Sequence, residues 1–261
     1  MTKQMNRRTM LRDTALAGVG VWAVGRNAWA ENGSPNAKLD VAVIGIGGRG
    51  RTNVNAVAGE NIVALCDVDD ERAGDAYEKF PKARKYYDLR RMLEEMGEQI
   101  DAVVVATPDH THAVAAAMAL RMGKHCFCEK PLTHSVNESR RLTELAQEQE
   151  VATQIGTQRH ANSNVHRVVE IVRSGAIGPV RDVRVWKGGS RGMPEIPTDT
   201  PPVPAHLRWD LWLGPAPYRP YHPAYAPYKW RFWWDFGTGE TGNWGCHLMD
   251  IPYWALDLRL A

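Results

Sequence analysis

The sequence predicts an α/β protein: a doubly wound parallel sheet covered by helices, then a second α+β domain with an open, mainly antiparallel sheet. Three observations predict it. Short apolar runs rich in β-branched residues recur from Leu39 onward and alternate with stretches of helical period. The links between them are short, which specifies parallel strands joined by crossover helices. Residues able to do chemistry gather just after the strand ends, where ligands bind in such sheets.

In order, Leu39–Ile44 is a continuous apolar run suited to a strand buried on both faces. A helix is expected over 53–58, a strand over 62–66, a helix over 70–79, a short strand near 85–87 and a helix over 89–96. Strand 101–106, helix 112–122, strand 125–128, helix 135–149 and strand 152–156 complete the first domain, residues 39–158. Residues 159–261 form the second. There a helix over 164–173 leads to Arg181–Lys187, whose alternation of charged and apolar residues has the period of a half-exposed strand. Residues 194–227 hold ten of the sixteen prolines, which exclude helix and central strand. The sequence closes at Leu256–Ala261 inside an amphipathic stretch with no stop signal, so the second domain is expected to be incomplete here.

The net charge of +2 is carried by the first thirty residues; the remainder has 27 basic and 29 acidic residues. That balance points away from nucleic acid and anionic membrane as partners. Residues 1–30 read as an address: a basic start, a short apolar run and Ala28-Trp29-Ala30 as a cleavage site. Arg7-Arg8 resembles a twin-arginine signal, so the protein is expected to be exported to the periplasm, with no membrane span in the mature chain. Residues 31–38 are a flexible leader. Cys66, Cys126, Cys128 and Cys246 have neither redox nor zinc spacing and are read as packing residues, with no metal site expected.

The first strand runs into Gly45-Ile46-Gly47-Gly-Arg49-Gly50, a G-x-G-x-x-G. Its glycines permit a tight turn and close backbone approach to a pyrophosphate, and the following helix start supplies N–H groups to phosphates. Asp67, 22 residues after Gly45 at the end of the second strand, is placed to accept hydrogen bonds from ribose hydroxyls. A carboxylate there repels a 2′-phosphate, so NAD is expected over NADP.

After the fourth strand comes Thr107-Pro108-Asp-His-Thr-His112, and after the fifth Glu129-Lys130-Pro131. These pieces resemble the A-T-P-x-x-x-H turn and E-K-P tripeptide of the Gfo/Idh/MocA oxidoreductases. The resemblance implies that Lys130 stabilises the developing alkoxide of a sugar or polyol, with Glu129 near the nicotinamide ribose and His112 at the cofactor edge. His110 and His112 are equally readable as capping or packing residues. Gln158 and Arg159 follow the last strand, within reach of cofactor or substrate. In the segment from Gly239 to Asp250, His247 matches the family's proton-transferring residue. Asp250, on the same helical face, is a candidate to orient it or to hold substrate. The family's D-x-x-x-H arrangement is not found at Asp250, because Trp254 stands four residues on. Seven of the ten tryptophans fall between Trp209 and Trp254, readable either as sugar-stacking platforms or as anchors for an irregular segment. The resemblance also implies a homo-oligomer when full length, since further strands of family members build the subunit interface.

The expected activity is NAD-dependent oxidation or reduction of a sugar, polyol or sugar acid. The alternatives are an NAD-dependent glycoside hydrolase, suggested by the T-G-N-W-G-C-H stretch from Thr241 to His247, and a non-enzymatic dinucleotide-binding protein.

Overall fold

The computed structural model describes residues 37–189 and 195–258. The expected export signal, and all but the last two residues of the expected leader, lie outside the described residues. Six parallel strands form one sheet: β1 (Asp40–Ile44), β2 (Asn61–Cys66), β3 (Arg84–Tyr86), β4 (Ala102–Val105), β5 (His125–Glu129) and β6 (Thr153–Gly156). Their spatial order is β3-β2-β1-β4-β5-β6, so the winding reverses between β1 and β4. In such sheets the crevice beyond the carboxyl ends at this switch point is the ligand site.

Helices α1 (Arg49–Ala56) and α2 (Asp70–Lys79) cover one face; α3 (Leu89–Met96), α4 (Asp109–Arg121) and α5 (Val136–Glu148) cover the other. Because side chains alternate along a strand, Val41 and Val43 of β1 pack with Val54, Ala73, Ala76 and Tyr77, while Ala42 and Ile44 pack with Met92, Leu93, Ala115 and Leu120. Both faces are apolar, which is why β1 reads as a continuous run. Asp69 caps α2, Asp88 caps α3, and Ser135 with Glu138 forms a capping box on α5. All four cysteines are free; Cys66, Cys126 and Cys128 are buried, and burial pushes the Cys126 thiol up to about 12, so they serve packing.

Two helices begin earlier than their apolar periods suggest. Gly48 takes φ 54° and turns the chain directly into α1 at Arg49. Pro108, with φ fixed near −61°, launches α4 at Asp109, where three polar residues hide the helical period.

Beyond β6, helix α6 (Ser163–Arg173) forms as expected. Residues 181–187 do not form the expected strand: no backbone among the described residues pairs with them, and Trp186 is 80% exposed. A period-2 pattern supplies a face, but a strand exists only when a neighbour's N–H and C=O groups complete the ladder. Among the described residues the second domain thus holds no strand of the open antiparallel sheet, which was expected to be truncated here.

The proline- and tryptophan-rich segment is instead its own small core. Trp209 and Trp212 of the short helix α7 (Trp209–Leu213) stack at 4.7 Å, and Tyr225, Trp230, Trp233 and the fully buried Phe236 complete the cluster. The indole N–H groups of Trp209 and Trp233 donate to the carbonyls of Arg219 and Ala224. This core is pinned onto the parallel-sheet domain: Arg208 N–H donates to Val68, Asp70 N–H to His206, His110 N–H to Phe236, and Thr238 to the Asp109 carboxylate. Residues 241–245 form a single π-helical turn, followed by the short α8 (Cys246–Leu248) and α9 (Asp250–Ala255), which packs against α6. No described helix is long and apolar enough to cross a membrane.

Candidate active site

The strand register aligns Ile44 with Cys66 and Val105, Val105 with Cys128, and Glu129 with Gly156, so the residues following each strand meet at one edge. There they line a cleft of about 790 Å³, roofed by the aromatic segment and walled on one side by Asn243, Trp244 and His247. The volume falls within the range of pockets that take drug-sized ligands.

The glycine loop is required by contact as well as by pattern. Gly45 sits at φ +79° with the Ala106 backbone 2.8 Å from where a Cβ would lie, and a Cβ on Gly50 would fall 1.8 Å from the Gly45 carbonyl oxygen. No side chain caps the start of α1 beside Gly47, Gly48 and Arg49 of the cleft lining, and Gly50 N–H donates to the Gly47 carbonyl. Arg72 lies across Gly47 and Gly48. Ile46 does not line the cleft: its side chain is fully buried and its amide donates to Asp67.

Asp67 lines the cleft but does more locally than expected. One carboxylate oxygen accepts from the amides of Ile46 (2.8 Å) and Gly47 (3.1 Å), and the other from Asp69 N–H, locking the glycine turn to β2. Burial raises its pKa against the opposing pull of these amides.

Glu129 is buried at the end of β5, where one oxygen accepts from Arg49 Nε (2.8 Å) and Asn53 Nδ2 (3.1 Å). It therefore fastens α1 to β5. Gly156 is needed beside it, because a Cβ there would meet the Glu129 carboxyl at 2.9 Å. His112 is a clip between two loops: Nδ1 lies 2.8 Å from the Pro131 carbonyl and Nε2 2.8 Å from the Thr107 carbonyl. His110 is held between the carbonyls of Phe236 and Trp212, a packing role. Thr107, Pro108 and Gln158 line the cleft.

Lys130 projects into the same cleft and donates to the backbone carbonyl (2.8 Å) and side-chain oxygen (2.9 Å) of Asn243; burial lowers its pKa. His247 is 5% exposed, and its Nδ1 is buried without a hydrogen-bond partner. Burial first, then the positive charges of Lys130 and Arg159, hold its pKa below the usual imidazole value, so it is neutral at pH 7.

Asp250 is the exception among the predicted residues. Its carboxylate is 2.8 Å from His160 Nδ1, on the α6 side, and it does not line the cleft. It cannot orient His247. Asn243, four residues before His247, holds Lys130 and not the imidazole. Asn53, Asn243 and Arg72 were missed. The first two are neutral amides, a residue type that carries no catalytic signal until its partner is known.

A family profile described as oxidoreductase family, NAD-binding Rossmann fold, matches residues 39–157, and its companion, oxidoreductase family, C-terminal alpha/beta domain, matches residues 161–257. The chain belongs to the Gfo/Idh/MocA oxidoreductase family. Its relatives include an inositol 2-dehydrogenase of Salmonella paratyphi B, 31% identical over 54% of this chain and 43% of that enzyme. Another, from Rubrobacter xylanophilus, is 32% identical over 57% of this chain and 44% of its own length. The chain thus spans under half the length of these curated relatives. Among solved structures, GenD2 from gentamicin A biosynthesis in complex with NAD is 26% identical, with 55% of this chain and 41% of that one covered and a TM-score of 0.49. For this family member, the first domain is an NAD-binding Rossmann domain, and the uncapped helix start, the Cβ-free glycine turn and the cleft volume fit the dinucleotide.

Proposed function

We propose that the protein is an NAD-dependent oxidoreductase acting on the hydroxyl-bearing carbon of a sugar, polyol or sugar acid. One observation carries the reading: Lys130 and the neutral His247 line the cleft that begins at the glycine turn. When bound, NAD supplies the hydride acceptor. Lys130, steered by Asn243, places an ammonium beside the substrate oxygen and stabilises negative charge as it develops there. His247 takes the hydroxyl proton, for which a neutral imidazole is the right form. Asp67 at the adenosine end favours NAD over NADP. The relatives named as inositol dehydrogenases favour this reading over the glycosidase alternative. We further propose that the Arg7-Arg8 signal exports the folded protein to the periplasm.

The test is net NADH formation by the full chain over a panel of polyols, hexoses and sugar acids, with Lys130→Met and His247→Ala alongside. The reading requires NADH from at least one compound and loss of it in both variants. A free sugar released from a glycoside with no net NADH assigns the glycosidase instead. A melting temperature indifferent to NAD overturns both, since saturation at a hundredfold excess stabilises by about 2.7 kcal/mol.

A further inference from the structure

We infer that the substrate end of the cleft is built for an anion, a uronic or aldonic acid, rather than a neutral sugar or polyol. The inference rests on the oxidoreductase reading above and narrows its substrate class. Arg159 follows β6 and lines the cleft with Lys130, Asn243, Trp244 and His247. Its guanidinium lies 5.4 Å from the centre of the Trp244 ring. Among the described residues it forms no ion pair with a carboxylate, and Lys130 forms none either, since both of its hydrogen bonds go to neutral oxygens of Asn243. The acids near these two cations are committed elsewhere. Glu129 is held by Arg49 and Asn53, Asp109 by Thr238, and Asp250 by His160. At the adenosine end Asp67 is bound by three amides, and Asp88 by Arg90. Asp69, held by His206, and Asp210 of α7 also line the cleft, and neither is ion-paired with Lys130 or Arg159.

Two cations lining one cleft, neither of them ion-paired with a carboxylate, present charged donors that a neutral polyol leaves without a partner of opposite sign. A carboxylate meets the planar fork of Arg159 with two parallel hydrogen bonds, a geometry lysine does not reproduce. That docks one end of the substrate on Arg159 and leaves Lys130 and His247 for the hydroxyl that reacts. The amide at Asn243 is part of the same design: a carboxylate in its place would neutralise Lys130 and repel the acid.

The experiment titrates the full chain, with NAD present, with three matched pairs: glucuronate and glucose, galacturonate and galactose, gluconate and sorbitol. Heat of binding and NADH formation are followed in the same samples for the wild type, Arg159→Gln and Arg159→Lys, and thermal stabilisation by NAD verifies that each variant is folded. At least one acid is expected to bind tenfold or more tightly than its neutral partner, with the advantage shrinking as salt rises, lost in Arg159→Gln and partly kept in Arg159→Lys. Equal binding of acid and neutral partner, a preference that survives in Arg159→Gln, or no binding by any acid overturns the inference. Acid binding without NADH leaves the anion site standing and overturns the dehydrogenase reading; NADH from neutral compounds alone does the reverse.

Discussion

His110 ties the Rossmann domain to the aromatic segment, and its protonation state can be tested. The ring is 3% exposed, with Nδ1 3.2 Å from the Phe236 carbonyl and Nε2 3.0 Å from the Trp212 carbonyl. A neutral imidazole donates to only one of them, so the two carbonyls favour the cation, while burial opposes it. Burial wins and brings the pKa from 6.5 down to about 4. Between those values the unfolded chain binds a proton at this ring that the folded chain does not. Stability from this group is therefore complete above pH 6.5 and falls as the pH drops towards 4. At about 1.4 kcal/mol per unit, the loss between pH 7 and pH 5 is roughly 2 kcal/mol. The assay is urea unfolding at both pH values for wild type and His110→Asn, which keeps a hydrogen-bonding side chain but does not titrate. The wild type should lose about 2 kcal/mol more than the variant. Equal losses would refute the reasoning and mean that folding leaves the ring's pKa unchanged, whereas a smaller loss in the wild type would mean a native cation donating to both carbonyls.

Gly50→Ala should abolish stabilisation by NAD, whereas Gly59→Ala, which meets open space, should leave it intact; equal behaviour would remove the steric argument for the loop. Lys130→Met should raise the His247 pKa towards 6.5 in an NMR titration of its imidazole, because it deletes a neighbouring positive charge; an unmoved titration would show that Lys130 has no part in setting it. Asp250→Asn should change kcat by less than about fivefold, and a hundredfold loss of turnover would return Asp250 to the chemistry.

The parallel sheet was legible because strands buried on both faces must be apolar along their whole length, and Val41–Ile44 and Val103–Val105 are. The glycine turn, Asp67, Glu129 and Lys130 were legible because they follow strand ends, and the register brings strand ends together. Asp250 was misread because its spacing from His247 fits one helical face, whereas its partner His160 is 90 residues away and leaves no local trace. Asn243 was overlooked because an amide gives no sign of holding a lysine. The strand at 181–187 was read from its alternation, although alternation fixes a face and not a neighbour.

Pinning the aromatic segment to α4 also bears on how the protein is made. A ribosome that has released residues 39–158 has delivered every strand of the sheet, yet Asp109 and His110 still lack Thr238, Trp212 and Phe236, and the roof of the cleft is untranslated. The nucleotide-binding half is thus continuous in sequence but its cleft is not, and a graft of it onto another protein must carry the chain through His247 to arrive with that cleft finished.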